Sequence, residues 1–457
     1  MTIHRVLALH CISLISEPQQ AYFGTRMAQM RDIFFPEFYE ELQNELGSMA
    51  HGNLHEQPDP AVAEKLRTRW HLLGPSQPDT SLIPIAVDGG IQQSSFSDGV
   101  IVSVARACAL ICHPNRKSGP EIVKRVKIRA VRVFGGDRTY IPSYVRMIAE
   151  HEAARAAAER VLSEGSIPLV LMDGSLYLGR FPYAEREYLS HAQLLAELFD
   201  CIASLHTLSR DHSFPLVGLS KDSAVFYLYM SLLRENLIES GADDRVIELL
   251  ATSTSPISLR ERLRRMVTNP SSFSNLQATW PISDTRLIEL STSGTGFSHP
   301  LLLAPSIYYR KGDSLPSIYR RVRGLLSTSL SERVLRALEA FFSRPTTGLV
   351  YWRPPRSNRA FRLDISAGCL GDETAMRDVK SNVFASDSSD LSILRKVLGI
   401  LEMWFCNDLE YDIPLHQSDK LARFDSTLYK SHYEPYIRSR MQSLGFVPRS
   451  RLRDLRS

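Results

Sequence analysis

Apolar residues recur every three or four positions from about residue 18 to 72, as in QQAYFGTRMAQMRDIFFPEFYEELQNEL, which predicts helices there. The Pro- and Gly-bearing GPSQPDTS interrupts that pattern. Three short-period apolar runs follow: IPIAVDGG, GVIVSVARACALIC and EIVKRVKIRAVRVFGG, the last two separated by the turn-rich HPNRKSGP. Each reads as a strand, and their short connections predict an antiparallel meander. SYVRMIAEHEAARAAAERVLSEG then runs unbroken and Ala-rich to a terminal Gly, the strongest helix signal in the chain. It leads into SIPLVLMDGS, a fully apolar strand of the kind buried on both faces. A second long helix, roughly 185 to 209, precedes another short strand in FPLVGLSKDS. This order predicts a mixed α/β layout, a central sheet covered by helices.

Residues from about 231 to 385 mix helical stretches (LSERVLRALEAFF), a Ser/Thr-rich loop (STSGTGFSH) and two aromatic strand-like pieces, SIYYRKGD and LVYWRPPRSNRAFRLDIS. We expect an insertion or an extension of the sheet. SDLSILRKVLGILEMWFCNDL restores an amphipathic helix, and a further helix is expected to start near Pro414. The domain organisation expected is therefore a helical region over 1–80, a catalytic core over 81–230, the insertion or extension over 231–385, and C-terminal helices with a basic tail over 386–457.

Composition alters this picture little. Hydrophobic residues at 44% and charged residues at 23% are ordinary for a soluble globular chain, and no apolar run is long enough to span a membrane. In MTIHRVLALHCISLIS, His10 interrupts the apolar run and no small-residue cleavage site follows, so no signal peptide is expected. The six cysteines form no C-x-x-C pair, which suits reduced core thiols in a cytoplasmic protein. A net charge of +4 permits a nucleic-acid partner without demanding one.

The candidate chemistry lies in two Asp-Gly pairs, at Asp88 and Asp173, each ending an apolar strand of one inferred sheet. Either alone reads first as a turn. Two carboxylates at neighbouring strand ends repel each other unless something positive lies between them, and Mg²⁺ or Mn²⁺ favours such oxygen ligands. The Ala-rich helix offers a third acid, Glu152, which follows Ile148 and Ala149 and precedes Ala153 and Ala156; Glu150 is the alternative, on the side of Ala154 and Ala157. Together these acids describe a metal site of the type that cleaves phosphodiesters.

The order strand-VDGG, meander, helix glutamate, strand-LMDGSL, helix, strand-LVGLSKDS resembles the NurA nuclease family over about residues 80–225. The resemblance implies a ribonuclease-H-like core and carries Asp88, Glu152 (or Glu150) and Asp173 onto the family's acidic positions. It carries Lys221 onto the family's Lys-containing segment after the next strand, where a lysine would contact a phosphate as a point charge or simply lie in a surface turn. It extends to the C-terminus, where Pro414-Leu415-His416-Gln417-Ser418-Asp419 lies against a family motif ending in a histidine. Here Asp419 takes the ligand position, with His416 as the alternative. VDGG likewise stands where the family has Asp-Gly-Ser. Tyr308 or Tyr309 falls on a family strand bearing a tyrosine near the site. The resemblance implies a two-metal deoxyribonuclease with 5′-to-3′ exonuclease and single-strand endonuclease activity in DNA end resection. It further implies a homodimer working with a HerA-type hexameric ATPase.

Basic runs in HPNRKSGPEIVKRVKIRAVR, SIYYRKGDSLPSIYRRVRG and the tail RSRMQSLGFVPRSRLRDLRS would suit a DNA backbone. Phe34, Phe35, Phe38 and Tyr39 are candidates for a dimer or ATPase contact or for core packing. The alternative function is a non-catalytic ribonuclease-H-like subunit that binds and regulates a DNA-translocating ATPase; retention of mutually repelling acids speaks against it. A phosphatase acting on a small substrate is a third reading, which the basic runs and the lack of a glycine-rich phosphate loop disfavour.

Overall fold

The computed structural model describes residues 40–43, 58–74, 81–113, 119–133, 140–178, 185–221, 223–239, 241, 244–245, 247, 282–305, 322–324, 326–387, 389–408 and 412–448. Contacts divide the chain into two units, residues 1–57 and 58–457. The helices of the second unit are α1 (Pro60–Thr68), α2 (Tyr140–Ser163), α3 (Glu185–Asp211), α4 (Tyr227–Glu239), α5 (Asp284–Ser291), α6 (Thr328–Ser343), α7 (Ser392–Trp404), α8 (Ile413–Ala422) and α9 (Glu434–Ser443). Its strands are β1 (Trp70–Leu72), β2 (Leu82–Ser95), β3 (Val100–Ile111), β4 (Glu121–Arg132), β5 (Ile167–Asp173), β6 (Leu216–Ser220), β7 (Gly296–Ser298), β8 (Leu301–Leu303), β9 (Thr347–Arg353), β10 (Phe361–Ser366) and β11 (Val383–Phe384). Phe34, Phe35, Phe38, Tyr39, Tyr308, Tyr309 and the last residues of the basic tail lie outside the described residues.

All the strands join one mixed sheet, whose main path runs β1-β7-β9-β10-β6-β5-β2-β3-β4. The expected meander is there: β2, β3 and β4 pair antiparallel in sequence order. β5 then pairs parallel to β2, and β6 parallel to β5, with α2 and α3 as the crossovers. The order β4-β3-β2-β5-β6 is consistent with the ribonuclease-H-like core that the resemblance implied. The 231–385 segment extends the same sheet, because β10 pairs antiparallel with β6 and β9 with β10. The expected boundary at 230 falls inside α4.

Side-chain alternation sends the two faces of the sheet into separate cores. Ile83, Ile85, Val87, Val170 and Met172 pack against α2 and α3 on one face. Leu82, Ala86, Leu169 and Leu171 pack against α7 and α8 on the other. The alanines of α2 explain how closely it seats: Ala149, Ala153, Ala154, Ala157 and Ala158 are all completely buried. Methyl-sized contacts bring the helix backbone close to the strands, which lets a glutamate on that helix reach the sheet.

Among the described residues no helix is long and apolar enough to cross a membrane. Cys108, Cys112, Cys201, Cys369 and Cys406 form no disulfide; Cys108 is buried whereas Cys406 is exposed, so the expectation of core thiols fails at that position.

Candidate metal centre

Val87 of β2 lies beside Met172 of β5, the last residue pair in their parallel register, and the next positions are Asp88 and Asp173. Counting alternate positions from Ala86 and Leu171 places both aspartates on the α8 face. Gly174 has φ +112°, a backbone conformation that L side chains rarely adopt, so this Asp-Gly is also a true chain reversal. The turn is held from behind. Gly174 N donates to Leu219 O at 2.8 Å, and a Cβ on Gly218 of β6 would lie 2.4 Å from Gly174 O. Glycine at 218 is therefore what lets the chain after Asp173 fold across β6.

A buried ion pair from β10 completes that support. Arg362 donates to Asp364 through Nε (2.8 Å) and Nη2 (3.0 Å), and Nη2 also reaches Ser175 Oγ at 3.1 Å. Ser175 in turn bonds Asp364, which accepts from Tyr177 N at 3.2 Å. Asp364 is fully buried and Arg362 is 5% exposed. These two residues were not singled out from the sequence. Their signal is an Arg and an Asp two apart in an otherwise apolar strand, which puts both charges on one face.

The helix acid whose charge acts on Asp88 is Glu150, the alternative to Glu152 that the sequence left open. A Cβ on Gly89 would lie 2.6 Å from Glu150 Oε1 and 2.8 Å from Glu150 Cγ, so the glutamate is seated against the bare backbone of β2. Glu152, two positions on and rotated about 200° around the helix, instead pairs with Lys127 of β4, which also holds Glu197 at 2.7 Å. Gly90, where the family has Ser, admits the end of α8: a Cβ there would lie 2.4 Å from Ala422 O and 2.9 Å from Phe424 N.

Three carboxyls of the cluster are buried: Asp88 at 7% exposure, Glu150 at 5% and Asp412 at 1%. Burial, then the charges of Asp173 and Glu150, pushes Asp88 up to about 7 despite the bond it accepts from Gly89 N at 2.6 Å. Asp419 adds a smaller push in the same direction, which places its charge within reach of Asp88. Burial also raises Glu150 to about 7, against the opposing pull of Arg146, whose Nη1 is 3.4 Å from Glu150 Oε1. Asp412 caps α8 by accepting from Leu415 N at 2.9 Å, and burial followed by the Asp173 charge raises it to about 7. Lys221 Nζ lies 3.5 Å from Asp173 Oδ2. His416 is half-buried on α8, one turn before Asp419.

The donor set is all carboxylate oxygen, which suits a hard divalent cation. One buried oxygen, Asp412 Oδ2, has no hydrogen-bond partner, as expected of an atom that would face such an ion, while Glu150 Oε1, also without a hydrogen bond, has the Arg146 guanidinium near it. The cluster is nonetheless open. Among the described residues, the three possible ligands whose atoms already lie within 4.8 Å of one another are His113, Glu121 and Glu164, beyond the other ends of β3 and β4. There Arg160 contacts Glu121 at 2.5 Å and so neutralises that carboxylate, and His113 lies 3.9 Å from Glu164. Around Asp88, Arg146 lies beside Glu150 and Lys221 beside Asp173, while the like charges of Asp173, Glu150 and Asp419 act on Asp88.

The basic run on β4 is partly committed within the fold. Lys127 and Arg129 hold Glu152 and Glu197, while Lys124, Arg125 and Arg132 are exposed along this edge strand.

A family model for the NurA domain matches residues 84–370. Among solved structures, the chain is similar to the NurA nuclease from Sulfolobus solfataricus at 14% identity and a TM-score of 0.47, covering 89% of this chain and 97% of that one. It is similar to NurA bound to dAMP and manganese at 16% identity and a TM-score of 0.38, covering 88% and 96%. A structure of NurA with manganese gives 14% identity and a TM-score of 0.38, covering 87% and 96%. No curated protein matches the chain.

Proposed function

Because this chain belongs to the NurA family, we propose that it is a metal-dependent deoxyribonuclease whose site is the acidic cluster of Asp88, Glu150, Asp173 and Asp419. The observation that carries this reading is the burial of Asp88 and Glu150 beside Asp173, with the charges of Asp173, Glu150 and Asp419 all acting on Asp88. Mutually repelling carboxylates at this density are tolerated where a cation offsets them. Bound Mn²⁺ or Mg²⁺ would lower the pKa of an attacking water and stabilise the departing oxygen of a phosphodiester, two ions sharing those tasks.

The chain's own residues set the geometry. Asp88, inside β2 just past the point where its pairing with β5 stops, and Asp173, at the end of β5, would present their carboxylates side by side, while Glu150 would close the site from α2 and Asp419 from α8. Lys221, beside Asp173, is placed to contact a phosphate as a point charge. The Arg362–Asp364 pair keeps the turn after Asp173 from moving, which preserves the spacing that in-line attack requires. Lys124, Arg125 and Arg132 on the exposed edge strand would hold a DNA backbone without reading its sequence.

Finer assignments rest on family membership alone: 5′-to-3′ exonuclease and single-strand endonuclease action in end resection, a homodimer, and a HerA-type hexameric ATPase as partner. The test is incubation of end-labelled single- and double-stranded DNA with the protein and Mn²⁺ or Mg²⁺, with and without a HerA-type ATPase. Metal-dependent degradation, with a ladder that reports its polarity, is expected. Intact DNA under every condition would favour a non-catalytic subunit instead.

A further inference from the structure

We propose that Asp412, besides capping α8, supplies a fifth carboxylate to the cation site, an inference that rests on reading the acidic cluster as a metal centre. Capping needs one oxygen, and Oδ1 provides it by accepting from Leu415 N at 2.9 Å. The other oxygen, Oδ2, is buried without a hydrogen-bond partner, on a residue only 1% exposed. Ser, Thr or Asn caps a helix as well as Asp and leaves no buried charge. The acid at this position therefore needs a second role.

Its surroundings supply one. Burial and then the charge of Asp173 act on Asp412, so its carboxyl lies within electrostatic reach of Asp173. Among the described residues no Lys or Arg forms an ion pair with it that would neutralise it. The neighbouring Cys112 thiol, pushed up to about 12 by burial and by the Asp412 charge, stays neutral and offers no compensation. Asp412 is the N-cap residue of α8, and His416 and Asp419 follow within that helix. The element that carries Asp419 to the cluster thus brings a second acid at its start.

The test compares metal-free wild type with Asp412→Asn, whose amide oxygen can keep the cap while the charge is lost. Mn²⁺ is titrated in, with free Mn²⁺ followed by electron paramagnetic resonance and unfolding followed by circular dichroism. The expected result is a metal-free protein at least as stable as wild type, a Kd for Mn²⁺ raised about tenfold or more, and a smaller stabilisation by Mn²⁺. Asp412→Ser, a shorter cap, should lose Mn²⁺ affinity in the same way. Wild-type Mn²⁺ affinity in both variants would overturn the proposal, and so would an Asp412→Asn protein that folds less stably without metal. Asp173→Asn serves as the reference: if it too binds Mn²⁺ like wild type, the metal-centre reading itself has failed.

Discussion

Glu150→Gln, set against Glu152→Gln, separates two acids only two positions apart. Glu150 is 5% exposed, and its pKa is lifted from 4.5 to about 7, a change worth about 3 kcal/mol. The folded state holds this proton more tightly than the unfolded state does. The stabilisation it contributes is therefore fully present below pH 4.5 and is lost as pH rises through about 7. In metal-free protein at pH 8 the buried carboxylate is ionised at that cost, whereas the neutral amide of Gln is not. Glu150→Gln should accordingly raise metal-free stability at pH 8 by up to about 3 kcal/mol, do little at pH 4, and weaken Mn²⁺ binding. Glu152 pairs with Lys127 at a partly exposed position, so Glu152→Gln should change stability by about 1 kcal/mol or less and leave Mn²⁺ binding unaltered. Urea denaturation of EDTA-treated protein from pH 4 to 8.5, followed by Mn²⁺ titration, measures both quantities. Destabilisation by Glu150→Gln at pH 8, or loss of Mn²⁺ affinity from Glu152→Gln alone, would refute the assignment.

Three further substitutions probe the scaffold. Gly89→Ala drives a methyl to within 2.6 Å of Glu150 Oε1 and should displace that carboxylate, cutting nuclease turnover by about 10²-fold while far-UV circular dichroism stays native. Gly90→Ser restores the family's residue yet meets the backbone of Ala422 and Phe424, so it should cost about 1–3 kcal/mol and expose α8 to limited proteolysis. Arg362→Ala leaves Asp364 buried and unpaired behind the Asp173 turn, with an expected loss of about 3–5 kcal/mol in urea unfolding.

How legible each feature is in the chain depends on how local its signal is. The single strands of the meander, the Ala-rich helix and Asp173 at the end of β5 are each encoded in stretches of under thirty residues and appear where their patterns put them, whereas Asp88 lies inside β2, which runs on to Ser95 instead of ending at the Asp-Gly pair. The choice between Glu150 and Glu152 was not legible, because α2 is buried on more than one side and alanines flank both acids. Lys127, 25 residues away in sequence, claims Glu152, and only the folded sheet brings the two together. Distance in sequence hid the Arg362–Asp364 support too, since its contacts with Ser175 and Tyr177 span 187 or 189 positions. Asp412 was hidden differently: it stands just before a Pro-containing first turn and so reads as an ordinary cap, and the orphaned second oxygen shows only once burial is known.

The most direct measurement is the degradation of labelled single- and double-stranded DNA in Mn²⁺ by wild-type protein and by Asp173→Asn prepared in the same way. The acidic cluster predicts cleavage that needs the metal, is abolished by EDTA, and falls by several orders of magnitude in the variant although its fold is intact. Equal cleavage by both proteins would place the chemistry elsewhere and contradict the site assigned to Asp88, Glu150, Asp173 and Asp419.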